Sequence, residues 1–376
     1  MKSYKISEIN HKRILGRTSF DNKSDSPLCL LWGASALEIN VKAEEVWLEV
    51  SSNYDTHEPW LSIEVNGAPV ARFMVEKGAA KWVCLARNLN PQKENLISII
   101  KDTQAMSGDL HHSLFIHSIG LSENATFCPL KERKMNIEFL GDSITSGEGL
   151  AGSPDEMEWI TQWFCASKTY ALQLSKALNA NYSVLSQCGW GICWGWDGNV
   201  NAALPAHYEN ICSVIGGDYQ ASLGACEKFN FDVKNDFVII NLGTNDNGAF
   251  FQPPWKDEKG VEHILHLDEK GKVAADTGKI IIDGVKAFLK NIRKHNAEAK
   301  IIWTYGMIKL SALPECISAA IEEYKKESSD KNVYLLELDS MEELEVNLED
   351  KGSRGHPGPK THRMAAEKLF KFIKGL

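Results

Sequence analysis

The strongest constraint in this chain is a pattern repeated across residues 135–376. Short apolar runs recur near 136–141, 182–186, 236–242, 299–305 and 332–337. Between and after them lie stretches with helical spacing, near 166–180, 218–229, 276–295, 312–328 and 359–375. Near-continuous apolar strands alternating with helices predict an α/β fold: a five-stranded parallel sheet covered on both faces. Two stretches break the rhythm. Trp190 to Tyr208 is rich in glycine and tryptophan, and Asn247 to Ala275 is long and polar. Long irregular segments inside a compact domain are usually functional loops.

Residues 1–130 read differently. Ala36–Val41, Glu45–Val50, Trp60–Val65, Val70–Val75, Asn95–Ile100 and Leu114–Ile119 are short runs of strand character. Asn66-Gly67-Ala68-Pro69 sits between two of them as a hairpin signal. Short strands at this spacing, with no long helical pattern, predict a β-sandwich. Leu130-Lys131-Glu132-Arg133-Lys134 is a charged linker, which puts the domains at 1–130 and 135–376.

Composition excludes several partners. The net charge is -9, the pI is about 5.7, and no basic run is interleaved with aromatics, so nucleic acid is not expected. No apolar run approaches the ~18 residues of a membrane span. The start, Met1-Lys2-Ser3-Tyr4-Lys5, carries no apolar leader, so a cytoplasmic location is expected. Nine cysteines, with no Cys-x-x-Cys, read as reduced thiols. Cys188 and Cys193 are the one pair to check.

Chemistry gathers where apolar runs end. Asn136–Leu140 stops at Gly141-Asp142-Ser143, placing a serine at the carboxyl end of a strand, where open sheets bind ligands. Taken alone, Gly-Asp-Ser is also ordinary turn chemistry. Phe237–Leu242 ends in Gly243-Thr244-Asn245-Asp246, and Gly355-His356-Pro357 leads into the last helix. In this order the three blocks resemble the GDSL (SGNH) hydrolases, a resemblance covering about residues 135–376. It implies a flavodoxin-like hydrolase domain. Ser143 is the expected nucleophile and His356 its base, since a serine hydroxyl needs a base near neutral pH. Oxyanion donors are expected from the Ser143 backbone N–H, from Gly189 and from the Asn245 amide. Asp142 is read as fixing the turn.

There is one departure. The family usually carries an aspartate three residues before the histidine, and here that position is Ser353. Serine cannot stabilise an imidazolium by charge. His356 is therefore expected to be oriented by a backbone carbonyl, with Asp350 as the alternative third member.

The sandwich-like front, Ile137–Gly147, Gly189-Trp190-Gly191-Ile192 and Leu204-Pro205-Ala206-His207-Tyr208 look like the second family of carbohydrate esterases. That family joins a jelly-roll domain to a GDSL domain and removes acetyl groups from plant polysaccharides. Some members lack the acidic third residue. The resemblance implies a serine esterase acting through an acetyl-enzyme on acetylated oligosaccharides, with no metal or cofactor; a homo-oligomer stays open. Trp190, Trp194, Trp196 and Trp255 are the candidate sugar platforms, with core packing as the alternative for each. A GDSL esterase or thioesterase on lipid or aryl esters, and a non-catalytic carbohydrate-binding protein, are the competing readings.

Other signals are set aside. Gly147-x-Gly149-x-x-Gly152 matches a dinucleotide fingerprint as a string but begins six residues past the strand and runs into an acidic stretch. His111-His112 and His263-x-x-His266 lack neighbouring cysteines and read as solvated faces. His362 reads as a helix-start contact. No Gly-x-Ser-x-Gly elbow occurs.

Overall fold

The structure, a computed structural model, describes residues 1–20 and 25–376. The chain divides into two compact units. One comprises Met1–Arg133 with two later segments, Trp159–Ser167 and Glu209–Phe229; the other comprises Lys134–Glu158, Lys168–Tyr208 and Asn230–Leu376.

The first unit holds two six-stranded antiparallel sheets. One is built on Ser113–Leu121 and Val46–Asn53, the other on Ala36–Lys42, Asn95–Lys101 and Trp60–Val65. Alternation aims one side chain in two at a shared core: Leu37, Ile39 and Val41 from one sheet meet Val46, Leu48 and Val50 from the other. Trp60–Val65 and Ala68–Met74 form the expected hairpin. Its turn residues Asn66 and Gly67 have φ of 54° and 82°, the left-handed pair that a tight two-residue hairpin needs.

The two later segments are tied to this unit by buried groups. The Trp32 indole N–H donates to the Ile211 carbonyl at 2.6 Å, and the Ser167 N–H donates to Asp102 at 2.9 Å. The helix expected over 218–229 is much shorter, Asp218–Ser222, and lies in this unit. Gly224, at φ 75°, turns the chain out of the helix.

The second unit is organised on five parallel strands: β1 (Met135–Gly141), β2 (Ala180–Ser186), β3 (Phe237–Asn241), β4 (Lys300–Tyr305) and β5 (Val333–Glu337). Their order is β2-β1-β3-β4-β5. Every residue of β3 is buried, as a central strand covered on both faces requires. The helices are α1 (Ser143–Ser146), α2 (Tyr170–Ala177), α3 (Thr244–Ala249), α4 (Ala275–His295), α5 (Pro314–Ser328) and α6 (Pro359–Gly375). In α4 the buried Ile281, Val285, Phe288, Leu289 and Ile292 recur at three- and four-residue spacing and make one apolar face. Strand order reverses beside β1. The loops after β2, β1 and β3 therefore leave neighbouring strands at one edge of the sheet, the crevice position of such folds.

Phe139 is fully buried in β1, four residues before Ser143, with its ring 6.0 Å from that of Tyr170. Phe139→Ala should destabilise the second unit by about 3–5 kcal/mol, the usual cost of an aromatic-sized cavity. A urea titration followed by circular dichroism would show an early transition, and an unchanged midpoint would contradict this packing.

Candidate active site

Ser143 is set by the turn that precedes it. Asp142 caps α1, its carboxylate accepting the Ile144 N–H at 3.0 Å. Gly141 permits the tight strand-to-helix reversal, because a Cβ there would lie 2.0 Å from the Thr145 hydroxyl oxygen. Ser143 is buried to 6 % exposure.

His356 reaches it from the far end of the chain. Residues Ser353–Gly355 make one tight turn, with Arg354 at φ 54°, ψ 34° and Gly355 at φ 68°. The turn closes through the His356 N–H on the Ser353 carbonyl at 3.1 Å. His356 Nε2 then stands 2.9 Å from Ser143 Oγ, and Nδ1 stands 3.2 Å from the Arg354 carbonyl oxygen. A carbonyl only accepts, so Nδ1 carries the proton and donates. Nε2 is left with a lone pair toward the serine hydroxyl.

Asp350 is engaged elsewhere. Its carboxylate pairs with Lys360 at 3.0 Å and accepts from Asn347 Nδ2 at 2.8 Å, and its backbone carbonyl takes the Thr361 hydroxyl. The Lys360 ammonium holds the Asp350 carboxyl below the usual carboxylate range. These contacts fix the start of α6. The group facing the imidazole is the Arg354 carbonyl, and Asp350 as third member is corrected accordingly.

The remaining site candidates lie on the other two loops of the same edge. Asn245 follows Gly243, whose φ of 128° turns the chain out of β3. The Asn245 amide donates to the Trp190 carbonyl at 2.8 Å, which ties the loop after β3 to the loop after β2. Gly189, at φ 74°, accepts the Trp196 N–H at 2.9 Å, and a Cβ there would meet the Trp196 ring at 3.0 Å. The tryptophans divide. Trp196 is 54 % exposed. Trp190 is half-buried with its ring 4.9 Å from His207, and Trp255 is half-buried beside His263 at 5.3 Å. Trp194 is 3 % exposed and its indole N–H donates to the Asp246 carbonyl, so it has no face to offer a sugar.

Two important residues were not among the candidates. Asp246 is buried, and its carboxylate takes the N–H groups of Ile192 and Cys193 at 2.8 Å and of Trp194 at 3.4 Å. It holds the tryptophan loop in shape, and the Gly-Thr-Asn-Asp ending was the available signal. Glu148 is also buried; it pairs with Arg354 and lies 3.5 Å from His356 Nε2. The Cys188 thiol donates to the same carboxylate, and burial followed by that neighbouring charge pushes the thiol well above its ordinary range. The glycine string 147–152 supplies the approach. At Gly149, φ 73°, a Cβ would lie 2.5 Å from the Ser353 carbonyl oxygen and 3.1 Å from His356 Cβ. The string is turn geometry that lets the histidine loop close onto the serine segment.

The other histidines sit apart. His362 is buried in α6, where it accepts the Tyr170 N–H at 3.1 Å and stacks on that ring; burial pushes it down to about 3. His111 pairs with Asp55, His112 with the His57 carbonyl, His263 with Asp257 and His266 with Asp276. Among the described residues, no group of three or more histidine, cysteine or carboxylate side chains is arranged to hold a metal ion. All nine cysteines are thiols outside any disulfide, Cys188 and Cys193 included.

A strand-end serine, an imidazole with its free nitrogen on the hydroxyl, and an asparagine loop beside them define a serine hydrolase of the α/β type. Comparison with known proteins agrees. Residues 139–364 match the GDSL-like lipase/acylhydrolase family, and the chain belongs to it. An acetyl xylan esterase (Est2A) from the rumen bacterium Butyrivibrio proteoclasticus superposes with a TM-score of 0.94 at 33 % identity, covering 100 % of this chain and 99 % of that one. A family two carbohydrate esterase from Cellvibrio japonicus shares the fold, with a TM-score of 0.77 at 19 % identity over 100 % of this chain and 98 % of the other. The cellulase/esterase CelE of Acetivibrio thermocellus is 25 % identical over 362 residues, which is 96 % of this chain and 39 % of the relative. An acetylxylan esterase / glucomannan deacetylase of Cellvibrio japonicus is 23 % identical over 240 residues, 63 % of this chain and 61 % of the relative. The chain thus spans less than two thirds of the length of each of these two curated relatives.

Two buried carboxylates lend the site a pH signature. Burial pushes Asp142 up to about 7 and Asp246 up to about 6, against the pull of the backbone N–H groups they accept. An acid whose folded pKa is raised contributes stability below its unfolded value, near 4, and loses it as pH rises through the folded value. The wild type should therefore lose stability between about pH 4 and 7. Asp142→Asn should gain relative to it over that interval, because the amide cannot ionise. Melting temperatures of both proteins from pH 4.5 to 8.5 check this, and parallel curves would rule it out.

Proposed function

We propose that this chain is a serine esterase that removes O-acetyl groups from oligosaccharides derived from plant polysaccharides, xylo-, manno- or gluco-configured. The observation that carries the reading is His356 held with Nε2 2.9 Å from Ser143 Oγ. Ser143 Oγ attacks the acetyl carbonyl carbon while its proton passes to Nε2. The oxygen charge that develops is met by the Ser143 N–H, the Gly189 N–H and the Asn245 amide; one such donor is worth about 10²–10³ in kcat. Collapse of the tetrahedral intermediate breaks the bond to the sugar oxygen, which takes the proton from Nε2. The resulting acetyl-enzyme is opened by water activated at the same nitrogen, and acetate leaves.

The sugar assignment is supported by the acetyl xylan esterase similarity across the whole chain and by the exposed Trp196 beside Gly189. The second platform would be Trp190 or Trp255. The front unit is proposed to be a jelly-roll, carbohydrate-binding-like domain, with residues 135–376 supplying the catalysis. We further propose a cytoplasmic enzyme that acts on imported oligosaccharides. Recovery of the protein from the medium without lysis would count against that location.

Ser143→Ala should reduce acetate release from acetylated xylo-oligosaccharide by a thousandfold or more, with the fold intact, because a serine nucleophile is not replaceable. Retention of activity within about tenfold would remove Ser143 from that role. Faster wild-type hydrolysis of a long-chain aryl ester than of the acetylated sugar would favour the lipase-like alternative. Inertness toward all esters with retained sugar binding would favour the binding-protein alternative. In the same assay Asp350→Asn should lower kcat by about tenfold or less. A triad aspartate would be worth about ten-thousandfold.

A further inference from the structure

His356 is oriented by a carbonyl, and that carbonyl belongs to a residue in an unusual conformation. Arg354 lies at φ 54°, ψ 34°, a left-handed region that a side chain with a Cβ seldom occupies. The turn is only as well aimed as Arg354 is held. Two contacts hold it. Its N–H donates to the Glu156 carbonyl at 2.9 Å. Its guanidinium pairs with the buried carboxylate of Glu148, five residues past the nucleophile. The Glu148 N–H in turn donates to the Ser143 carbonyl at 3.0 Å. Backbone and side chain of one residue thus connect the nucleophile's helix to the turn that orients the base.

We propose that Glu148 and Arg354 are positioning residues for His356: their ion pair pins the left-handed turn, so that the Arg354 carbonyl keeps Nδ1 protonated and Nε2 aimed at Ser143. Residue types and burial fit this role. Glu148 is 5 % exposed, so its charge requires a partner, and a planar guanidinium offers directional N–H donors that an ammonium does not. The Cys188 thiol donates to the other carboxylate oxygen, Oε2, and fixes the rotation of that group. Oε2 is also the oxygen 3.5 Å from His356 Nε2, close enough to attract the imidazolium that forms when the serine proton is transferred. The aspartate missing at position 353 is thereby replaced in two parts. A carbonyl gives direction, and a carboxylate from another segment holds that carbonyl in place.

The proposal rests on the esterase reading for its kinetic arm, but its spectroscopic arm does not need turnover. In protein labelled with ¹⁵N-histidine, ring nitrogen spectra assigned with His356→Gln should show His356 in the single Nδ1–H form. In Glu148→Gln the form should become mixed, with kcat lowered about 10- to 100-fold, part of the 10²–10⁴ that a general base supplies, and KM changed by less than about twofold. Arg354→Gly separates the pair from the bare backbone. Glycine adopts the left-handed turn freely. If conformation alone mattered it would be fully active, whereas loss of the tether should lower kcat, though by less than Glu148→Gln, which also removes the charge near Nε2. The double variant should fall no further than Glu148→Gln alone, since that change already removes the ion pair. Arg354→Lys should recover part of the activity. A kcat within about twofold of wild type in both single variants, or a fall in kcat with the His356 ring spectrum unchanged, overturns the proposal. Should Glu148→Gln not fold, Arg354→Gly carries the same test. An inactive wild type whose Glu148→Gln variant still shows the tautomer change would overturn the esterase reading and leave this one standing.

Discussion

One contact governs the arrangement of the second unit: Ser143 Oγ against His356 Nε2 at 2.9 Å, across 213 positions of sequence. Proton transfer needs heavy atoms within hydrogen-bond reach and tolerates little error. The parallel sheet meets that demand by construction. β1 delivers the serine at its carboxyl end, β2 and β3 deliver Gly189 and Asn245 beside it, and the chain returns through the turn before α6 with the histidine. The helices and the apolar faces they bury fix where these ends stand, and the reacting atoms are carried on short loops.

Much of this could be read from the sequence because the signals were local. The five parallel strands were legible as apolar runs ended by turn residues, and α4, α5 and α6 as long periodic stretches. The sandwich hairpin was legible because Asn66-Gly67 supplies the left-handed pair its turn requires. What escaped depended on contacts between distant segments. The helix expected over 218–229 ends early because Gly224 turns the chain at φ 75°, an effect periodicity does not weigh. Trp194 looked equivalent to Trp196, yet the buried Asp246 draws three consecutive N–H groups inward and takes Trp194 with them. Glu148 lay inside a glycine string that carries no chemistry as a string. Its role exists only once the Ser353–His356 turn lies against it.

The site holds three buried carboxylates, and each is stabilised by different means. Asp142 caps α1. Asp246 accepts a row of backbone N–H groups. Glu148 pairs with a guanidinium and receives a thiol. Backbone donors leave the first two with raised pKa values, because N–H dipoles offset burial only in part. Their function is to shape loops, which they perform as acceptors. Glu148 is the one placed near the imidazole, and it is the one that has a full positive charge beside it.

A triad aspartate combines two duties: it selects the tautomer and it stabilises the imidazolium. Here the first duty falls to a carbonyl, which selects the tautomer as well as a carboxylate does because it too can only accept. A carbonyl dipole does less for a developing positive charge than a full negative charge at the same distance. A base oriented this way therefore depends more on charge nearby and on the accuracy of its aim. The glycines show how that accuracy is reached. Gly141 lets the serine helix turn back over its strand, and Gly149 lets the histidine turn approach to within a distance that any Cβ would block. The backbone brings the two reacting groups together at closer range than side chains alone would allow, and at that range a neutral acceptor can orient the base.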